Sequence, residues 1–92
     1  MAESSKTTTD HKTIRRWVEQ RGGQPACVKG TGSKNDPGVL RIDYPGYSGA
    51  SELEPIPWEA LFKAFDSKRL AFLYQDKKNS RFSKLIDRSR AN

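Results

Sequence analysis

The sequence predicts one small α+β domain, in which an antiparallel sheet of three to four strands packs against two helices in the order α-β-β-α-β(-β). Three observations lead to this fold class. The chain has 92 residues, which is enough for one modest hydrophobic core. Apolar residues recur at helical spacing in two stretches, and further stretches have the composition of β-strands. We expect residues 10–88 to form the domain, residues 1–9 a disordered N-terminal arm and residues 89–92 a frayed C-terminus.

The two helices are predicted from the spacing of their apolar residues. The first covers residues 11–21, where Asp10 can cap the free amides of the first turn and Gly22 can end the helix. Its narrow apolar stripe consists of Ile14, Trp17 and Val18. The second covers residues 57–66 and has the strongest helical pattern of the chain. That pattern consists of Trp58, Leu61, Phe62 and Phe65.

The strands are predicted at residues 25–29, 39–44 and 70–75. The first two are expected to pair antiparallel across a glycine-rich loop. The third, LAFLYQ, is apolar on both faces, which is typical of a central strand. Residues 81–87 fit either a helical stripe or a strand that returns as a hairpin, and we prefer the strand. The candidate core residues are Trp17, Leu40, Ile42, Trp58, Phe62, Phe65, Phe72 and Leu73.

Positive charge is concentrated toward the end of the chain. The 17 Lys and Arg against 11 Asp and Glu give a net charge of +6, and residues 67–92 alone hold eight cations and two anions. Aromatic residues interleave with these cations between residues 68 and 90. Nucleic-acid surfaces use this mixture, because cations contact phosphates and rings stack on bases. The candidate contacts for nucleic acid or another polyanion are Lys77, Lys78, Arg81, Lys84 and Arg88.

The same residues allow two alternatives. The charges would equally keep the outer side of a strand pair solvated, with Lys protecting an exposed edge. Another bacterial protein would be a different class of partner, recognised by the acidic and aromatic segment that runs from Tyr44 to Glu59. Tyr44 and Tyr47 could present an exposed aromatic pair to a peptide or a sugar, but we prefer a turn in which both tyrosines cover the edge of the core.

Candidate catalytic and cofactor sites are weak in this sequence. His11 and Cys27 are the sole members of their residue types, and a structural zinc site needs about four ligands. The glycine-rich loop at residues 30–34 matches neither the dinucleotide fingerprint nor the phosphate-binding loop. We therefore predict a binding module without enzymatic activity, metal or other cofactor.

The sequence also favours a particular compartment. One cysteine forbids an internal disulfide, and no apolar run reaches the roughly 18 residues that span a bilayer. Residues 1–10 are polar and lack the apolar stretch of a secretion signal. We therefore expect a cytoplasmic protein without a membrane partner.

Five short sequence segments are distributed along the chain: DHKTIRRW (residues 10–17), RGGQPACVKGT (21–31), LRIDYPGY (40–47), LAFLYQ (70–75) and SRFSKL (80–85). Together they resemble a family of small uncharacterised bacterial proteins of similar length, and the resemblance covers residues 9–88. It implies a bacterial origin. Some members carry a glucan branching enzyme label, but that chemistry requires two carboxylates held across a sugar-binding cleft. The acidic residues Glu52, Glu54 and Glu59 are spaced as a loop and a helix start instead.

Overall fold

The computed structural model describes residues 5–46 and 50–90. Its strands and helices confirm a mixed helix and sheet architecture. In chain order they are β1 (Ser5–Thr8), α1 (His11–Gln20), β2 (Gln24–Val28), β3 (Leu40–Asp43), β4 (Leu53–Pro55), α2 (Trp58–Ser67), β5 (Leu70–Gln75) and β6 (Ser83–Asp87). Short 3-10 turns at Ala50–Glu52 and Arg88–Arg90 complete the described elements.

The six described strands form two antiparallel sheets, where one sheet was expected. One sheet has the order β1-β5-β6 and the other the order β3-β2-β4. The predicted pairing of β2 with β3 is present, and β5 is central in its sheet as predicted. Each central strand uses both of its edges for its own two neighbours. Neither can therefore join the other sheet, and the expected order lacked both β1 and β4.

Both ends of the domain differ from the prediction. Residues 5–8, expected to belong to a disordered arm, form β1 and pair with β5, so that Thr8 lies opposite Phe72. The strand sequence SKTT has no apolar pattern, because it is held by main-chain pairing rather than by a buried face. At the other end, Ser89 and Arg90 lie in a 3-10 turn, where fraying was expected. Residues 1–4 and 91–92 of these predictions lie outside the described residues.

The helices form where the apolar spacing placed them. The Asp10 carboxylate caps α1 by accepting hydrogen bonds from the Thr13 main-chain N–H (3.0 Å) and hydroxyl (2.6 Å). After α1, Gly22 has a φ of +74° and its N–H donates to the Glu19 carbonyl, as a glycine after a helix commonly does. α2 follows Pro57, whose side chain makes no capping hydrogen bond.

Neither helix of the described chain has the length and apolar character to cross a membrane.

One hydrophobic core joins both helices to both sheets. Its buried members are Ile14, Trp17, Val18, Leu40, Leu61, Ala64, Phe65, Phe72 and Tyr74. Of the predicted core residues, Trp58, Phe62 and Ile42 pack against this cluster while partly buried. Leu73 does not join it. Side chains alternate along a strand, so Leu73 lies on the opposite face of β5 from Phe72 and Tyr74 and is only half-buried.

The edge strands β3 and β6 come together where the two sheets meet. Each is the outer strand of its own sheet. The Tyr44 hydroxyl, just after β3, lies 2.8 Å from the Ser83 hydroxyl at the start of β6. The Arg81 guanidinium, just before β6, donates to the Pro45 carbonyl at 3.2 Å. Side chains rather than a strand ladder thus bridge this seam, and the space along it is open.

Candidate functional site

A groove of about 670 Å³ lies along the seam between β3 and β6. Its volume falls within the roughly 300–1,000 Å³ of small-molecule pockets. Leu40 and Phe72, which belong to the buried core, line its depth, and the partly buried Ile42 and Leu85 line it nearer the surface. The groove therefore has an apolar floor that is continuous with the core.

Among the described residues, three cations line the same groove. Arg41 on β3 donates from its guanidinium to the Leu40 carbonyl at 3.2 Å, which holds the side chain against its own strand. Arg81 reaches across to the Pro45 carbonyl, and the Lys84 ammonium lies 6.0 Å from the centre of the Phe82 ring. No Asp or Glu belongs to the groove lining among the described residues. The site is therefore positive over an apolar floor.

Tyr44 forms one wall of the groove. Its ring meets the Trp17 ring edge to face, with the ring centres 6.3 Å apart. Burial raises the pKa of the Tyr44 hydroxyl, and the hydrogen bond with Ser83 and the charges of Arg21 and Arg81 oppose that rise. The phenol thus stays neutral at pH 7 and keeps its hydrogen bond across the seam. This wall of the groove is an uncharged ring near the guanidinium groups of Arg21 and Arg81.

Phe82 lines the groove and lies between Arg81 and Lys84 in the sequence. Its side chain is 43% exposed. The main chain of Phe82 is held on both sides: its N–H donates to the Ser80 hydroxyl (3.1 Å), and its carbonyl accepts from the Gln75 N–H (3.2 Å). An aromatic ring is thereby presented to solvent from a fixed backbone, next to the cations.

The structure separates the five predicted contact residues into three groups. Arg81 and Lys84 line the groove. Lys77 and Lys78 are exposed in the turn between β5 and β6, a few residues before Arg81. Arg88 lies past the opposite end of β6 and does not line the groove.

Arg88 is occupied by contacts within the fold. Its guanidinium donates to the Leu70 carbonyl (2.9 Å) and to the Asp66 carboxylate (3.3 Å). It also lies 5.6 Å from the centre of the Phe65 ring. These contacts connect the end of β6 with α2 and β5.

Arg21 is a residue whose role the sequence did not reveal. Because Ile14, Trp17 and Val18 form the apolar stripe of the first helix, the sequence predicts a solvated face for Arg15, Arg16 and Arg21. Arg15 and Arg16 are indeed exposed. Arg21 is half-buried instead, with its guanidinium 4.0 Å from the centre of the Trp17 ring.

The Arg21 guanidinium donates to three carbonyls, those of Trp17, Lys77 and Ser80. Two of these belong to the turn that carries Lys77 and Lys78, so Arg21 fixes the basic turn against α1. The contacts join residues 56 and 59 positions apart, and no local pattern reports them.

The surface of the alternative protein partner lies elsewhere. Glu52, Glu54 and Glu59 are exposed and do not line the groove. Tyr44 is half-buried and lines the groove. Tyr47 and the rest of residues 47–49 lie outside the described residues.

His11 and Cys27 occupy different surroundings. The His11 ring stacks on Phe62 with the ring centres 4.1 Å apart, and its Nε2 lies 3.0 Å from the Asp66 carboxylate. Cys27 is buried in β2, and burial, with a smaller effect of Glu54, raises the pKa of its thiol. A protonated, buried thiol is a poor nucleophile. Residues 5–46 and 50–90 also contain no group of three or more His, Cys, Asp or Glu that could hold a metal ion.

The glycine-rich loop is closed by a carboxylate. Asp36 accepts from the Gly38 N–H at 2.8 Å and pairs with the Lys68 ammonium at 2.9 Å. Gly38 has a φ of +98°, and a Cβ there would lie 2.2 Å from the Thr31 hydroxyl oxygen, so the loop requires glycine at this position. Asp36 thus occupies the Gly38 N–H and the Lys68 ammonium, two donors that a bound phosphate would otherwise use.

Comparisons of this chain with protein-family models, with curated proteins and with solved structures found no match. The resemblance to small bacterial proteins stays a prediction from the five sequence segments. The functional conclusion therefore rests on the groove.

Proposed function

We propose that this protein is a non-enzymatic binding module of the bacterial cytoplasm whose groove between β3 and β6 binds an anionic polymer, with nucleic acid as the favoured partner. The observation that carries the proposal is the lining of the groove. Arg41, Arg81 and Lys84 line it, and no carboxylate does so in the described part of the chain. An uncompensated positive cleft attracts and concentrates polyanions.

Each cation has a part in this binding. Arg41 and Arg81 have planar guanidinium groups, which can donate two parallel hydrogen bonds to one phosphate. Lys84 adds a charge from β6, and Lys77 and Lys78 extend the positive surface along the preceding turn. Arg88 is left out, because it does not line the groove and its guanidinium is paired with the Asp66 carboxylate.

A charge-matched pair of variants tests the proposal. We expect Arg81→Ala with Lys84→Ala to weaken the binding of a short labelled oligonucleotide about tenfold or more, measured by fluorescence anisotropy, because two charge-assisted contacts are lost. The control is Lys12→Ala with Arg16→Ala, which removes the same charge from exposed positions on α1. Equal losses in the two double variants would mean that net charge alone drives binding, and the groove would then have no special role.

Salt dependence gives an independent reading of the same contacts. Three neutralised phosphates on a single strand predict a slope of about −2 when log affinity is plotted against log salt. The Arg81 and Lys84 double variant loses two of these phosphate contacts, so its slope should become less negative by about 1.4. A slope that is unchanged in the variant would contradict phosphate contacts at these side chains.

The alternative partner, another bacterial protein bound by the segment from Tyr44 to Glu59, predicts a different pattern. Its specific support is the exposure of Glu52, Glu54 and Glu59 outside the groove. The wild-type chain would then still capture a protein from a bacterial lysate after nuclease treatment. This capture would be lost when these glutamates are replaced by Gln. The groove variants would capture it normally.

A further inference from the structure

Phe82 has an exposed aromatic ring that does not belong to the hydrophobic core. Among the described residues, Val39 and Phe82 are the large apolar side chains that stay exposed, at 42% and 43%. Phe82 lines the groove and lies in the chain between two of its three cations. Hydrogen bonds to the Ser80 hydroxyl and from the Gln75 N–H fix the main chain from which the ring projects. The ring therefore forms part of the binding surface rather than of the packed interior.

The groove combines two kinds of surface that one class of polyanion presents together. Single-stranded nucleic acid exposes both phosphates and the flat faces of its bases, and aromatic rings stack on those faces. A duplex hides the base faces inside its stack and must extrude a nucleotide to offer one. A polyanion without bases would use Arg41, Arg81 and Lys84 and leave Phe82 and the apolar floor uncovered.

We propose that the groove prefers single-stranded nucleic acid, with a base stacked on Phe82 and the flanking phosphates bound by Arg81 and Lys84. This inference rests on the proposed function, since it specifies what the same groove binds. Tyr44 does not serve as the platform, because its hydroxyl is engaged by Ser83 and its ring meets Trp17. The apolar floor formed by Ile42 and Leu85 lies beside the platform and covers the edge of the stacked base.

The test compares three probes on four proteins. The probes are a labelled oligothymidylate, a duplex of the same length and inorganic polyphosphate as a competitor. The proteins are wild type, Phe82→Ala, Phe82→Leu, and Arg81→Ala with Lys84→Ala. Phe82 is exposed, so its replacement removes no core contact of the buried cluster, and thermal unfolding verifies that each variant is folded.

We expect Phe82→Ala to weaken oligothymidylate binding by about 5-fold to 100-fold, the range for loss of one base-stacking contact. Phe82→Leu should recover only part of the loss, because Leu is apolar but not flat. The inhibition constant of polyphosphate, measured by displacement of the oligothymidylate, should stay within about twofold of the wild-type value in both Phe82 variants. Polyphosphate binding is electrostatic and does not use the ring. Wild type should bind the duplex more weakly than the single strand.

The outcomes separate this inference from the proposed function. If Phe82→Ala binds oligothymidylate like wild type while the double cation variant loses binding, stacking is wrong and the basic groove stands. If the double cation variant binds every probe like wild type, the proposed function itself fails. Tighter binding of the duplex than of the single strand would overturn the preference directly.

Discussion

Arg21 and Arg88 show how far the role of a single residue can depart from its formal charge. Each guanidinium donates to at least one main-chain carbonyl that is distant in the sequence, and each lies over an aromatic ring of the core. The net charge of +6 therefore overstates what is free to meet a partner. In the described part of the chain, the cations that line the groove are Arg41, Arg81 and Lys84.

Replacing Arg21 should cost stability and loosen the basic turn. We expect Arg21→Ala to lower the free energy of unfolding by about 2 kcal/mol, because the carbonyls of Trp17, Lys77 and Ser80 lose a charged donor. Arg21→Lys should recover only part of this, since one ammonium cannot match the guanidinium fork. Urea unfolding measures both variants. Wild-type stability in Arg21→Ala would show that these contacts do not hold the turn.

Replacing Arg88 should separate stability from binding. We expect Arg88→Ala to lower the free energy of unfolding by about 1 to 2 kcal/mol, through the loss of its bonds to Asp66 and the Leu70 carbonyl. Oligonucleotide affinity should stay at the wild-type value. The control is Lys78→Ala, an exposed turn position whose loss should leave stability unchanged. Weaker binding without loss of stability in Arg88→Ala would assign Arg88 to the interface instead.

At the scale of elements, the sequence predicts those helices and strands whose apolar residues recur with a regular period. The helices α1 and α2 follow stripes that include Trp17 and Phe65, and the alternation around Ile42 places β3 correctly. The strands β1 and β4 have four and three residues and no such pattern. They exist because β5 and β2 offer unpaired edges. A strand that is defined by its partner's edge cannot be found from its own residues.

The cap of α1 makes an acid-dependent contribution to stability. Hydrogen bonds from the Thr13 hydroxyl and then its main-chain N–H hold the pKa of Asp10 below its ordinary value of 3.8. A carboxyl group with a lowered folded-state pKa contributes stability that is present above the unfolded pKa. This contribution is lost as the pH falls through the folded pKa.

Asp10→Asn tests this contribution, because Asn caps a helix without titrating. We expect a stability close to that of wild type at pH 7 and a smaller loss of Tm between about pH 5 and about pH 2. Some acid dependence should remain, since hydrogen bonds also lower the pKa of Asp36 and of Asp87. An identical fall of Tm with decreasing pH in the two proteins would show that the titration of Asp10 is not coupled to folding.

At the scale of the whole molecule, the groove is a product of the two-sheet topology. Arg81 and Lys84 could be selected from the charge of the C-terminal quarter, but Arg41 could not. Alternation places Arg41 on the opposite side of β3 from Leu40 and Ile42. Because β3 is an edge strand, the Arg41 side chain can bend back to the Leu40 carbonyl and line the groove. Only the arrangement of the sheets shows that β3 and β6 are edges and that they meet.

The most direct test of the basic groove is an amide NMR titration of the labelled protein with oligothymidylate at low and moderate salt. We predict shifts confined to residues 40–46 and 81–85, with smaller changes in the turn at Lys77 and Lys78, all fading as salt is raised. Shifts centred on residues 50–59 or on α1, or none at low salt, would contradict the groove as the binding site.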